Sequence, residues 1–217
     1  MLGRIRTSLL ARRYRSGVRR LGRGKPPEYR GYLEQQLDRS FSKRENDPGA
    51  GARLLVARTV ELGALTPEAS VLCVGSRNAV ELDLFRARGI SDVVGIDLFS
   101  QSSDILVMDM HAMTFPDAGF DAVYVSHALE HSNDLDRALG EIARVARPGA
   151  AVAVEVPVRH RGHEADLIEF AGLADLRSRL EPFVEQVLWE QEEPARSRTN
   201  DQGSAVARMV FAIRARS

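Results

Sequence analysis

Residues 70–98 read SVLCVGSRNAVELDLFRARGISDVVGIDL, and this stretch decides the fold class. The run at 70–75 is short, continuous and apolar, as is typical of a strand buried on both faces of a parallel sheet. Residues 79–89 have helical spacing, and DVVGIDL at 92–98 is a second apolar run. A strand, a helix and a strand in succession predict a parallel β-α-β unit.

The same alternation continues on both sides of this unit. Further strands are predicted at 104–110, 120–126, 151–158, 183–191 and 205–215. Helices are predicted at 52–63, 134–147 and from about 164 to 180, with Asn133 as the N-cap of the second. The pattern therefore predicts an α/β domain with a parallel sheet covered on both faces by helices, and the last two strands form an antiparallel edge pair.

The connection between the second and third strands is unusual. Only five residues separate Leu98 from Asp104, whereas a parallel crossover usually takes about a dozen or more. Either a tight extended connection replaces the helix, or one of the two strands is misplaced. We keep both strands.

The composition is typical of a globular protein, with 44% hydrophobic and 28% charged residues. No apolar run approaches the roughly 20 residues that cross a bilayer, and no secretory signal is recognisable. Cys73 is the only cysteine and lies in an apolar run, which indicates a buried thiol and no intramolecular disulfide. We expect a cytoplasmic protein.

Residues 1–25 form a basic N-terminal arm with eight Arg, one Lys and no acid, while the rest of the chain has 21 basic and 30 acidic residues. Such an arm can be an amphipathic helix on an anionic membrane surface, a solvated tail or an organelle transit peptide. With no base-reading motif, it gives only sequence-blind, salt-sensitive affinity for nucleic acid, so no specific nucleic-acid partner is predicted.

Residues 26–49 form an N-terminal region in which a polar helix is predicted at 28–45, after Pro26 and Pro27. Apolar and aromatic side chains recur at helical spacing: Tyr29, Tyr32, Leu33, Leu37 and Phe41. This stripe can dock on the body of the domain or cover a ligand pocket as a lid.

Four motifs together resemble the class I S-adenosylmethionine-dependent methyltransferases, and most closely their type 11 group. They are VLCVGSRNA (71–79), GIDL (95–98), MDMHAMTFPDAGFDAVYVSHALEH (108–131) and EIARVARPGAAVAVEVP (141–157). The resemblance covers roughly residues 54–158. It implies a Rossmann-like, mostly parallel seven-stranded sheet with an antiparallel edge strand, and makes 50–217 a methyltransferase domain. S-adenosyl-L-methionine would bind across the first three strand ends and the methyl acceptor near the fourth and fifth.

Ligands of open α/β sheets bind at the carboxyl ends of the strands, so the residues there are candidate cofactor ligands. Asp97 is expected to accept both ribose hydroxyls, and Asp109 to accept from the adenine amino group. Arg77 is a candidate for the cofactor carboxylate and Glu81 for its ammonium, although a surface charge is the alternative for each. The remaining candidates are Gly75, Ser76, Asn78, Leu98, Met110 and Ser126.

The first motif departs from the family pattern. Cys73 stands where the family usually has an acid, and Arg77 and Ala79 replace its second and third glycines. Contacts to the methionine portion of the cofactor therefore cannot be carried over at these positions. A nicotinamide enzyme is disfavoured for the same reason, because its pyrophosphate fingerprint requires glycines where Arg77 and Asn78 stand.

The candidate catalytic residues are His127 and His131, which flank the end of the fourth strand in SHALEH. Histidine titrates near neutral pH, so either one can remove a proton from an acceptor hydroxyl, or both can be hydrogen-bonded wall residues. Glu155, inside an apolar strand, must be paired or face the pocket. No His, Asp or Glu spacing favours a metal.

The sequence therefore predicts methyl transfer to a small-molecule acceptor, a hydroxyl of a saccharide or natural product, in bacterial biosynthesis. Two alternatives stay open. One is a methyltransferase fold without activity that acts as an interaction module, and the other is methylation of a membrane lipid or lipid-linked glycan.

Overall fold

Seven strands form one sheet in the computed structural model, which describes residues 19–43, 45–100, 102–159, 166–194 and 205–215. The strands are β1 Ser70–Val74, β2 Asp92–Asp97, β3 Ile105–Val107, β4 Phe120–Ser126, β5 Ala146–Val158, β6 Val184–Glu193 and β7 Ala205–Ile213. The helices are α1 Pro27–Ser42, α2 Gly49–Leu62, α3 Val80–Arg86, α4 Leu135–Val145 and α5 Leu173–Leu180. Residues 1–18 of the predicted arm lie outside the described residues.

The strand order is β3-β2-β1-β4-β5-β7-β6. The first five strands are parallel, and β7 runs antiparallel to both β5 and β6. This confirms the predicted Rossmann-like sheet with an antiparallel edge. The order reverses between β1 and β4, and the crevice at such a switch point is where open α/β sheets bind ligands.

Alternate residues of the central strands face two different hydrophobic cores. Leu72 and Val74 of β1 point to the face covered by α4 and α5. Val71 and Cys73 point to the opposite face, under α2 and α3. Because both faces of β1 are covered by helices, its sequence is a continuous apolar run.

The short connection between β2 and β3 contains no helix among its described residues. The two strands pair in parallel, and the amide of Gly95 donates to the carbonyl of Asp104 at 2.8 Å. Both predicted strands exist, although β3 is much shorter than the expected 104–110. A tight extended turn therefore replaces the usual crossover helix.

Both ends of α4 differ from the prediction. α4 ends at Val145 rather than continuing to 147, because Ala146 is extended and pairs with Phe120 in the sheet. Asn133 as its N-cap is wrong: the side chain of Asp134 accepts from the amide of Arg137.

The helix predicted from about residue 164 begins only at Leu173. Phe170 instead forms a β-bridge with Val158, which draws the preceding segment along the end of β5 and back toward the loop after β4. There the amides of Leu167 and Ile168 donate to the carbonyl of Glu130.

The N-terminal helix α1 docks on the loop that follows β2. Leu33 and Leu37 are buried against Phe99, and the ring of Phe41 meets Phe99 edge-on at 5.4 Å. The described helices include none long and apolar enough to cross a membrane.

Candidate functional site

An open cleft of about 610 Å³ lies at the carboxyl ends of β1, β2 and β4, with α1 as one wall. From the sheet side it is lined by Val74, Gly75, Arg77, Ile96, Asp97, Leu98, Met108, Asp109, Met110, His127, Ala128 and His131. From α1 it is lined by Tyr32, Gln36, Arg39 and Ser40. The predicted N-terminal helix therefore docks on the domain and forms one wall of the cleft.

The turn after β1 requires glycine at position 75. Gly75 has a φ of 82°, and a Cβ there would lie 2.6 Å from the Cβ of Ala128. The amides of Gly75 and Ser76 both donate to the carbonyl of Ile96. The turn thus brings the ends of β1, β2 and β4 together and leaves bare backbone at the floor of the cleft.

Asp97 and Arg77 face each other across this floor. Asp97 is 8% exposed and accepts from the amide of Phe99 at 3.1 Å. Burial raises the pKa of Asp97 to about 6, although the nearby charge of Arg77 and the hydroxyl of Ser40 lower it in part. The carboxylate is therefore ionised at neutral pH and lies where the sequence predicted a ribose acceptor.

Asp109 is also in the cleft, but both of its oxygens are already engaged. Oδ2 accepts from the phenol of Tyr29 at 2.5 Å, and Oδ1 contacts the amide of His111 at 2.9 Å and its Nδ1 at 2.8 Å. Burial alone would raise the pKa of Asp109, but the hydrogen bonds from His111 and Tyr29 lower it below its ordinary value. Oδ2 has one partner, so it keeps a lone pair that can accept from an adenine amino group.

The same aspartate begins a Ser-His-Asp chain. His111 Nε2 lies 2.8 Å from the hydroxyl of Ser132, and its Nδ1 faces Asp109. Ser132 and His111 are each only 1% exposed, so no substrate can reach the serine. We interpret the chain as a structural link between the strand ends rather than as a nucleophile. Sequence reasoning did not identify it, because Ser132 and His111 meet only in the folded chain.

His127 lies between two buried carboxylates. Its Nδ1 is 3.4 Å from Glu130 Oε1, its Nε2 is 3.2 Å from Glu155 Oε1, and its backbone has a φ of 50°. Burial alone would lower the pKa of His127, but the hydrogen bonds to Glu130 and Glu155 outweigh it and raise the pKa to about 10. His127 is therefore a fixed imidazolium at neutral pH and has no lone pair with which to accept a proton.

Glu155 is paired, as its position inside an apolar strand required. It bonds Arg208 on the adjacent strand β7 as well as His127. Burial raises its pKa, but these two cations lower it to a net value of about 2. Arg208 in turn bonds Glu193 at 2.7 Å. The charged side chains of this cluster are therefore paired with one another behind the cleft.

His131 is placed differently. It lines the cleft, and its Nδ1 lies 3.0 Å from Asp166 Oδ1. Asp166 is held in turn by Arg39 of α1 at 3.1 Å, and Glu130 Oε1 is 3.8 Å from His131 Nε2. A carboxylate at one ring nitrogen fixes the orientation of the ring, as in catalytic acid-base groups. Neither Asp166 nor Arg39 has a sequence signal, because only tertiary contacts join them to His131.

Four predicted cofactor residues do not line the cleft. Ser76 is fully buried and donates to Glu81, whose carboxyl is itself buried and has its pKa raised to about 7 by that burial. Asn78 donates to the carbonyl of Asn46, and Ser126 donates to Glu155. The described residues contain no group of three or more His, Cys, Asp or Glu that could hold a metal ion.

Residues 72–154 match the methyltransferase domain family. The chain is 31% identical over 128 residues to Methyltransferase GfsG of Streptomyces halstedii, a match that covers 56% of this chain and 40% of that protein. The chain thus spans less than half the length of this curated relative.

Solved structures show the same fold. The 1,6-didemethyltoxoflavin-N1-methyltransferase of Burkholderia thailandensis aligns with a TM-score of 0.70 at 17% identity, over 88% of this chain and 92% of that one. The cyclase SpnF aligns with a TM-score of 0.61 at 19% identity, over 80% and 86% of the two chains. Residues 72–154, from β1 to β5, therefore match the methyltransferase domain family, and the described chain shares its fold with these solved structures.

Proposed function

We propose that this protein transfers the methyl group of S-adenosyl-L-methionine to a small-molecule acceptor bound in the cleft. The observation that carries the proposal is the position of Asp97 and His131 in one cleft at the β1/β4 switch point, within the segment that matches the methyltransferase domain family. The Burkholderia structure contains S-adenosylhomocysteine, which supports the same choice of cofactor here.

The residues of the cleft fit this cofactor in part. Asp97 is an ionised acceptor for ribose hydroxyls, and the turn at Gly75 leaves room beside the backbone. Leu98 and Met110 supply apolar surface for the adenine ring. Asp109 already accepts from Tyr29 and His111, so an adenine amino group would share Oδ2 with the phenol of Tyr29.

The sulfonium of S-adenosyl-L-methionine supplies an electrophilic methyl group, so the chain must align the acceptor and remove its proton. We assign proton removal to His131, because it lines the cleft and Asp166 orients it. His127 is a charged wall residue instead. The proposed acceptor is a hydroxyl of a saccharide or natural product. A nitrogen acceptor is the alternative, since the Burkholderia relative is an N1-methyltransferase.

Calorimetric titration with S-adenosylhomocysteine tests cofactor binding. Asp97→Ala should weaken binding by about 1.5 to 3 kcal/mol, the range for hydrogen bonds to a charged group. Asp92→Ala, at the exposed opposite end of β2, is the matched control and should bind normally. If the wild-type chain does not bind the ligand, the interaction-module alternative replaces the enzyme.

Variants of His131 and His127 test which of the two histidines removes the proton from the acceptor. In a screen of hydroxyl and amine acceptors, His131→Gln should lose about 10²-fold or more in turnover while still binding cofactor. His127→Gln should retain more activity than His131→Gln. The reverse order would move the base to His127, and near-normal turnover of both variants would leave alignment alone as the catalytic effect.

We also propose that the basic arm attaches the protein to an anionic membrane surface on the cytoplasmic side. Each basic residue near such a surface contributes about 1 kcal/mol, which salt screens. The full chain should therefore sediment with anionic vesicles at low salt, and a chain lacking residues 1–25 should not. Equal sedimentation of both chains would reject the tether.

A further inference from the structure

Arg77 is a half-buried cation at the floor of the cleft. Its guanidinium makes no ion pair and no side-chain hydrogen bond within the described part of the chain, although it lines the cleft. The other cleft arginine, Arg39, is paired with Asp166, and the buried Arg208 is paired with Glu155 and Glu193. A guanidinium has five donors, and taking them partly out of water without acceptors is unfavourable. Arg77 is thus arranged to receive an acceptor from outside the chain.

The strand order shows which part of a ligand would reach it. Across the sheet, the cleft passes Asp109 after β3, Asp97 at β2, Arg77 after β1 and His127 after β4. With the ribose at Asp97, one end of the cofactor lies over β3, and the other extends over β1 toward β4. That second end must be the amino-acid portion, because the methyl acceptor is proposed to bind beside His131.

The chemistry of that portion matches Arg77. It carries a carboxylate, and the planar fork of a guanidinium binds a carboxylate through two parallel hydrogen bonds. The loss of family glycines at positions 77 and 79 removes close main-chain approach at this turn, and the same change introduces the cation.

We propose that Arg77 binds the carboxylate of the amino-acid portion of the cofactor, so that a side-chain ion pair replaces the glycine-rich contact of the family. This inference rests on the proposed function, because it assumes that S-adenosyl-L-methionine is the ligand of the cleft. In this proposal the altered turn after β1 still binds the cofactor, through the side chain of Arg77.

The test uses two ligands that differ in the carboxylate. S-adenosylhomocysteine has the complete amino-acid portion, and 5′-methylthioadenosine keeps the adenosine and the thioether but has neither carboxylate nor ammonium. In calorimetric titrations, Arg77→Gln should weaken S-adenosylhomocysteine about 10- to 100-fold, as expected for a charge-assisted pair. The affinity for 5′-methylthioadenosine should change less than about twofold, because that ligand never contacts Arg77.

Two further variants serve as controls. Arg77→Lys keeps the charge but loses the fork, so it should recover part of the affinity for S-adenosylhomocysteine. Arg58→Gln removes a surface arginine paired with Glu61 and should leave both affinities unchanged. Normal binding of 5′-methylthioadenosine by a variant also shows that the variant is folded.

The outcomes separate this inference from the proposed function. If the wild-type chain binds neither ligand, the proposed function fails. If it binds both but Arg77→Gln weakens both equally or neither, or if the wild type does not prefer S-adenosylhomocysteine, the carboxylate site at Arg77 is overturned while the cofactor assignment stands.

Discussion

The phenol of Tyr29 in α1 donates a 2.5 Å hydrogen bond to Asp109 at the end of the β3 segment. The hydroxyl of Ser40, near the other end of α1, interacts with Asp97 and lowers in part the pKa of its carboxyl, which burial raises. One helix therefore supplies a hydroxyl to each of the two carboxylates that the sequence assigned to the cofactor. The helix is attached to the floor of the cleft by these polar contacts as well as by the apolar cluster around Phe99.

Removing the Tyr29 hydroxyl should loosen this attachment. We expect Tyr29→Phe to lower the free energy of unfolding by about 1 to 2 kcal/mol, near the lower end for a bond to a charged group because Tyr29 is only half-buried. Chemical denaturation measures the effect, and a double-mutant cycle with Asp109→Asn isolates the pair. A coupling below about 0.3 kcal/mol would show that the bond does not hold the helix.

Cofactor affinity should depend on pH through Asp97. Its pKa is raised to about 6, so the carboxylate is ionised at pH 7.5 and becomes protonated as the pH falls through 6. A protonated carboxyl accepts hydrogen bonds less strongly, and affinity for S-adenosylhomocysteine should fall by up to about tenfold per unit below that pH. The titration is repeated from pH 7.5 to 5, and Asp97→Asn should lose most of the slope. An identical slope in that variant would assign the pH dependence to another group.

Stability should fall on the alkaline side because of His127. Its folded pKa of about 10 lies above its ordinary value of 6.5, so its contribution is fully present below 6.5 and is lost as the pH rises toward 10. For Glu155, whose pKa is lowered to about 2, the contribution is present above 4.5 and is lost as the pH falls toward 2. Urea denaturation from pH 6 to 10 should show this decline, and His127→Gln should flatten it. A wild-type curve that is level over this range would contradict the imidazolium assignment.

Two helical glycines form a matched pair for stability. At Gly140 in α4, a Cβ would meet no atom of the described residues within 4 Å, so Gly140→Ala should stabilise the protein by about 0.5 to 1 kcal/mol through helix propensity. At Gly51 in α2, a Cβ would lie 2.7 Å from Arg208 Nη2 and 2.9 Å from Glu155 Oε2. Gly51→Ala should therefore destabilise the protein despite the same gain in propensity. Thermal unfolding of both variants measures whether each substitution raises or lowers stability. Stabilisation by Gly51→Ala would show that the buried ion pair of Arg208 and Glu155 can shift at little cost.

Local pattern was sufficient for the fold and for part of the cleft. Buried parallel strands are continuous apolar runs, so β1, β2 and β4 could be placed from residue order alone. Strand ends of a parallel sheet meet at one edge, which brings Gly75, Asp97 and His131 into one cleft, as predicted. Helix boundaries were less certain, because Ala146 and Phe170 obey strand pairing rather than helical spacing.

By itself the sequence determined the sheet, the edge where the cleft lies and some of the polar residues that line it, such as Arg77, Asp97 and His131, because these depend on the period and order of residues along the chain. Only the tertiary structure decided what each polar residue can do. Asp166 orients His131, Glu130 and Glu155 hold His127 as a cation, and Tyr29 engages Asp109. Charge state and hydrogen bonding depend on burial and on partners distant in sequence, and no spacing rule contains that information.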